Sequence, residues 1–252
     1  MNIGFLGSGY ITSSIIEGIF KSKLKIKKIY ISPRNKLISK KISKRFKKVT
    51  IAINNQQVID RSNWVFLAVT PQVGSKILSK LKFSKNKKII SLISTINLEK
   101  LKKYTKNKNI SRVIPLPFIG MRKGPIIICP KNNQLKNFFK HLGKVIELKN
   151  EKTSKAFWST SSFMASFYFL LNQTSNWLTS KGIKRKDAED YTRELFLALS
   201  EDAINKNKNS LKQLVLESQT PGGTNAYVLN QLKKKKFYKV QQTVLNSIFK
   251  KF

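Results

Sequence analysis

From Asn2 to about Asn150 the chain alternates short apolar runs with helical or loop stretches, and beyond that point the apolar runs cease. No other feature constrains the fold as strongly. Strand signals fall at residues 2–6, 28–31, 50–53, 64–69, 88–93, 111–114, 124–128 and 144–147. Helical signals at 10–21, 36–46, 73–81, 98–104 and 134–142 lie between them. Strands separated by helices at this spacing predict a parallel, doubly wound sheet. From 152 to 181 apolar residues recur at helical spacing, among them Phe163, Phe167, Leu170, Leu171 and Trp177, until Gly182 supplies a stop. One helix of that length would run roughly 45 Å. Its apolar residues fall on more than one face, which predicts burial between subunits. Helical patterns continue at 186–205, at 210–219 and from 225 onward. The expected class is α/β, with a sheet domain over residues 1–150 and an all-helical domain over 151–252.

Fifty basic residues against 12 acidic give a net charge of +38, which would draw the chain to nucleic acid or an anionic membrane. Only seven of the 50 are Arg, however, and Asn, Ile and Phe are abundant beside the Lys. Readers of nucleic acid use Arg for bidentate contacts, so this excess reads as the product of an A+T-rich genome. A nucleic-acid partner is not expected. Cys129 alone forms no intramolecular disulfide, and with one His, His141, it builds no ordinary zinc site, so no metal is expected. The uncharged run 156–180 has the length of a membrane span, but 12 of its 25 residues are Ser, Thr, Asn or Gln. Residues 1–20 lack the basic opening of a secretory signal. A cytoplasmic location follows as the expectation.

Four segments carry chemistry. Gly4-Phe5-Leu6-Gly7-Ser8-Gly9-Tyr10-Ile11-Thr12 lies where the first strand turns into a helix. Gly7 permits the tight turn and Gly9 lets a pyrophosphate approach the backbone. The helix beginning at Tyr10 and Ile11 offers free N–H groups. Thr12 stands where the fingerprint has Gly or Ala, predicting slightly looser helix–strand packing. The setting is that of a Rossmann-type dinucleotide site. At the end of the second strand, Ser32 and Arg34 stand where an NAD-selective site would place a carboxylate. No acidic residue occurs between Glu17 and Asp60. A hydroxyl and a guanidinium suit a 2′-phosphate, so NADPH is the expected cofactor, with NADH possible. The turn Ala68-Val69-Thr70-Pro71-Gln72 should line the cofactor crevice. Late in the chain, Thr220-Pro221-Gly222-Gly223-Thr224-Asn225 opens a helix. Its N–H groups form a cradle for a carboxylate, or the segment is a plain turn with Thr224 or Asn225 as N-cap.

These segments, with Ser32-Pro33-Arg34-Asn35, occur in the order and at the separations of the pyrroline-5-carboxylate reductase family, which the chain resembles over nearly its whole length. The resemblance implies an NADPH- or NADH-dependent imine reductase that makes L-proline, and a helical domain that dimerises by interleaving. It implies a cofactor contact from Asn55 on the adenosine side, beside Asn35. It assigns the substrate to Thr220, Gly222 and Gly223, with Thr224 and Asn225 as catalytic candidates. Three positions depart from the family pattern. Thr70 replaces a Lys, Ile114-Pro115-Leu116-Pro117-Phe118-Ile119 replaces Met-Pro-Asn-Thr-Pro-Ala, and Asn225 replaces the Thr that meets the imine nitrogen. Together they suggest a divergent subgroup. The alternatives are a related NADP-dependent reductase of another imine or a keto acid, and a non-catalytic cofactor- or polyanion-binding protein. The related β-hydroxyacid dehydrogenases use a Lys on the long helix, and none occurs between Lys155 and Lys181.

Overall fold

The computed structural model describes residues 1–251. They form two compact units, 1–158 and 159–251, so residues 151–158 belong with the first unit.

The first unit is an eight-stranded sheet in the order β3-β2-β1-β4-β5-β6-β7-β8. The strands are β1 (Asn2–Leu6), β2 (Lys28–Ile31), β3 (Val49–Ile51), β4 (Trp64–Leu67), β5 (Lys88–Ser91), β6 (Ile110–Ile114), β7 (Pro125–Cys129) and β8 (Lys144–Glu147). The intervening helices are α1 (Tyr10–Lys21), α2 (Lys36–Arg45), α3 (Asn55–Asp60), α4 (Pro71–Ile77), α5 (Leu98–Thr105) and α6 (Asn133–Phe139). Successive strand residues face opposite sides, and both sides are covered. Ile3, Phe5, Ile29, Phe66, Ile90 and Ile128 pack with Ile15, Ile16 and Ile19 of α1 and with Phe138 and Phe139 of α6. Leu6, Val65, Leu67 and Ile89 pack with Val58 and Ile59 of α3 and Leu101 of α5.

The sheet is not wholly parallel, contrary to expectation: β7 runs antiparallel to β6, pairing Ile114 with Ile127. The cause is the connection, only residues 115–124, because a parallel crossover takes about a dozen residues or more. A 3₁₀ segment, Pro117–Met121, and left-handed Arg122 turn the chain back instead. β8 then follows β7 in parallel across α6. Helix α3 has no counterpart among the predicted elements. It is short and opens on Asn-Gln-Gln, so it carries no apolar period, and the Asn54 side chain starts it by accepting from the Gln57 N–H at 2.9 Å.

The second unit is helical. The single long helix expected over 152–181 is two: α7 (Ser154–Ser161), whose residues 154–158 are assigned to the first unit, and α8 (Met164–Ser180). At the break Ser162 and Phe163 N–H donate three residues back, to Ser159 and Thr160 O, in a run of hydroxyl residues that compete with helical bonding. Then come α9 (Arg185–Asn205), α10 (Leu211–Glu217), α11 (Thr224–Lys234) and α12 (Phe237–Phe249), with Lys236 left-handed between the last two. Small buried residues, Ser175, Ala188 and Thr192, lie in α8 and α9. Much of the apolar surface is bare: Phe169, Trp177, Tyr191, Ile204 and Tyr227 are each at least 60% exposed. Among the described residues no helix is long and apolar enough to cross a membrane.

Candidate active site

The strand order reverses between β1 and β4, so the chain leaves the sheet to opposite sides and opens a crevice at the carboxyl edge. Gly7 sits there with φ +116°, and a Cβ on it would lie 2.2 Å from the Ala68 carbonyl oxygen. No L side chain fits that place. The Gly7 N–H donates to Ser32 Oγ at 3.1 Å, and Ser32 Oγ in turn donates to Asn55 Oδ1 at 2.6 Å. Thr12 corrects the expectation of loose packing: it is fully buried, and its hydroxyl donates to Gly7 O at 2.9 Å, tying helix to turn. Gly9 is the N-cap of α1 without a side-chain cap, and a Cβ there would meet nothing within 4 Å. The first N–H groups of α1 thus open onto free space.

A cavity of about 670 Å³ follows this edge, lined by Gly7, Ser8, Gly9, Arg34, Asn35, Lys36, Leu37, Ala68, Val69, Thr70 and Val73. A second of about 250 Å³ adjoins it, adding Ser32, Asn55, Lys76 and Ile77. Most of the residues expected to hold a cofactor therefore share one crevice. Tyr10, Ile11 and Thr12, in the first turn of α1, and Pro71, the first residue of α4, are not among the lining residues. Ser32 is 2% exposed and its hydroxyl is engaged by Gly7 and Asn55, which makes it a support for the glycine turn. Asn55 Oδ1 is likewise taken, and its amide nitrogen remains to donate. Asn35 caps α2 by accepting from the Ile38 N–H at 3.1 Å. Sequence reasoning misses Lys36, Leu37, Val73, Lys76 and Ile77. The spacing of Val73, Lys76 and Ile77 marks one face of α4, but Lys36 and Lys76 are indistinguishable from the other Lys by composition. Arg34, Lys36 and Lys76 are all exposed, and no carboxylate is among the lining residues. The charge of the lining is wholly positive.

In the second unit, Gly222 has φ +71°, and a Cβ on Gly223 would lie 2.5 Å from Thr220 Oγ1, so the two glycines are required for different reasons. The Gly223 N–H closes the turn on Thr220 O at 2.9 Å. Gly223, not Thr224 or Asn225, is the N-cap of α11, and it carries no side-chain cap. The Gly223 N–H is thus committed to Thr220 O, while the first-turn N–H groups of Thr224 and Asn225 have no intrahelical acceptor. Asn225 is exposed, and its Nδ2 donates to Ser218 O at 3.1 Å, leaving Oδ1 as an acceptor.

Cys129 is a free and buried cysteine. Burial chiefly, then the Glu151 carboxylate, push its thiol up to about 11, against the opposing pull of Arg112. Among the described residues no group of three or more His, Cys, Asp or Glu could hold a metal ion.

Comparison with known proteins places two family models on the chain. Residues 2–97 match the family described as NADP oxidoreductase, coenzyme F420-dependent. Residues 151–252 match pyrroline-5-carboxylate reductase dimerisation. A pyrroline-5-carboxylate reductase of Pisum sativum is 22% identical over 98% of this chain and 92% of its own length. In fold the chain is similar to the 1-pyrroline-5-carboxylate reductase of Streptococcus pyogenes, at TM-score 0.85, 20% identity, and 100% and 97% coverage. It is also similar to the NADP-bound pyrroline carboxylate reductase of Plasmodium falciparum, at TM-score 0.83, 20% identity, and 100% and 96% coverage.

Proposed function

The chain belongs to the pyrroline-5-carboxylate reductase family, NAD(P)H-dependent oxidoreductases acting on CH–NH bonds, and we propose that it reduces pyrroline-5-carboxylate to L-proline with NADPH in proline biosynthesis. The observation that carries this reading is the crevice itself: a glycine turn, an open helix N-terminus and three cations, with no carboxylate among the lining residues.

The residues present fit the cofactor. The open space over Gly9 and the first N–H groups of α1 suit the pyrophosphate. Arg34 and Lys36 take the 2′-phosphate, and Val69 and Val73 give the adenine an apolar wall. Asn55 offers its amide nitrogen on the adenosine side. When bound, NADPH supplies the hydride that saturates the C=N bond.

The protein's share is orientation and exclusion of water. Thr220 and Gly222 shape the turn, Gly223 caps the helix, and the Thr224 and Asn225 N–H groups receive the substrate carboxylate. Asn225 Oδ1 is the free acceptor, because Nδ2 is committed to Ser218 O. An acceptor pairs with a protonated ring nitrogen, which is a donor. The chain therefore takes the iminium form, and no side chain has to deliver a proton. That agrees with the lack of His, Asp and Glu in these segments. The pyrroline-5-carboxylate reductase dimerisation match and the bare apolar helices support a homo-oligomer, and we propose a dimer as its minimum. A reducing compartment, the cytoplasm, suits the one buried cysteine. The test is NADPH oxidation across pyrroline-5-carboxylate, its six-membered homologue and a few keto acids. Turnover of keto acids with none of either imine would overturn the reading.

A further inference from the structure

Arg112, in the middle of β6, is 2% exposed and heads the fully buried side chains by volume. It donates to the carbonyls of Ile93, Ser94 and Ile96, and its Nε and Nη2 reach Glu151 Oε1 at 2.9 and 2.6 Å. Glu151 also accepts the Leu98 N–H on both oxygens at 3.0 Å. One guanidinium and one carboxylate thus satisfy the irregular connection between β5 and α5, whose buried carbonyls would otherwise lack partners. Lys could not replace that planar fork.

The connection leads to the crevice. The Ile93 and Ile96 side chains are buried against Gly74 of α4, so closely that a Cβ there would lie 3.0 and 3.4 Å from their Cδ1 atoms. α4 carries Val73 and Lys76 into the cavity walls. We propose that Arg112 is a positioning residue of the NADPH site: by fixing the Ile93–Ile96 backbone it seats α4, and α4 sets the width of the crevice. The proposal rests on the cofactor reading above.

The variants are Arg112→Lys and, touching nothing on Arg112, Gly74→Ala. The readouts are NADPH equilibrium binding without substrate and amide exchange of residues 73–77 and 93–98. Both variants should weaken NADPH roughly tenfold and speed exchange in α4. If Arg112→Lys lowers the melting temperature yet binds NADPH like wild type with unchanged α4 exchange, Arg112 serves the fold alone and the proposal fails. Should Arg112→Lys not fold, Glu151→Gln is expected to give the same shifts in smaller measure, and wild-type values there also overturn it. If wild type itself fails to bind NADPH, the cofactor reading falls, and α4 exchange alone decides whether Arg112 seats the helix.

Discussion

Gly7 and Gly9 stand two residues apart in one motif, yet the structure gives their alanine variants opposite signatures. At Gly7 a methyl would sit 2.2 Å from Ala68 O and 2.7 Å from Ala68 C, on a backbone at φ +116°. The obstruction is backbone leaving the centre of the sheet, held by the Ala68 N–H donating to Leu6 O at 2.8 Å, so it cannot swing aside. Positive-φ strain of about 1–3 kcal/mol adds to an overlap cost of about 1–3 kcal/mol. The total is about 2–6 kcal/mol, which for a protein of this size lowers the melting temperature by roughly 5–20 °C. At Gly9 the backbone is extended at φ −83°, which Ala adopts freely, and the space is open. Losing a glycine N-cap costs about 0.5–1 kcal/mol, and stiffening the unfolded chain offsets it by about 0.4–1 kcal/mol. Gly9→Ala should therefore melt like wild type. Its methyl occupies the approach to the α1 N–H groups, and losing charge-assisted bonds of about 1.5–3 kcal/mol weakens NADPH roughly 10- to 100-fold. Differential scanning calorimetry without ligand and an NADPH titration separate the two. A Gly9→Ala protein that binds NADPH as wild type does would refute the assignment of the pyrophosphate to this turn, and an unshifted melt for Gly7→Ala would refute the strain argument.

Arg34→Asp should weaken NADPH far more than NADH, and equal losses would mean that Arg34 does not meet the 2′-phosphate. Asn225→Ala removes an oriented partner worth about 2–3 kcal/mol, so kcat should fall roughly 30- to 150-fold with NADPH affinity nearly unchanged; wild-type turnover would reduce the residue to a brace for Ser218. For Cys129, the folded thiol titrates at about 11 against 9.0 for the free group, so its stabilisation is complete below pH 9 and is lost as pH rises toward 11. Denaturation of wild type should lose about 2 kcal/mol over that window relative to Cys129→Ala, and parallel pH curves would show the thiol to be accessible. Sedimentation at micromolar concentration should show a dimer or larger species, since the apolar faces of α8, α9, α11 and α12 need a partner; a monomer would contradict it.

The strand series is legible because each buried strand writes its period into the sequence. β1, β2 and β8 begin and end where that period does. At β4 and β5 the apolar run overshoots the strand: the pattern continues to 69 and 93, but β4 ends at Leu67 and β5 at Ser91. The surplus residues are apolar for another purpose. Val69 lines the crevice, and Ile93 packs on Gly74. An apolar run that outlasts its ladder at the carboxyl edge is thus a mark of the site, visible only once the ladder is known. The direction of β7 lies in the length of a loop, a signal that periodicity does not contain.

The glycine turns are legible for the opposite reason, being local: a φ of +116° at Gly7 or +71° at Gly222 is a demand made by the backbone at that residue. Ser32, Asn55 and Arg112 are defined instead by partners 16 to 39 residues away, and nothing in their neighbours announces the bond. Composition hides the charges too. Among so many Lys, Lys36 and Lys76 carry no mark, whereas the few Arg do, because Lys serves wherever charge alone is wanted. Arg112 forks onto three carbonyls and a carboxylate, Arg193 pairs with both Glu189 and Asp190, and Arg122 reaches the carbonyls of His141 and Lys21. Arg34 is exposed in the crevice with no hydrogen-bond or ion-pair acceptor among the described residues. That fork without an internal acceptor, set beside an open helix N-terminus, is the feature on which the proposed 2′-phosphate contact rests, because a guanidinium pairs with a phosphate through two parallel bonds.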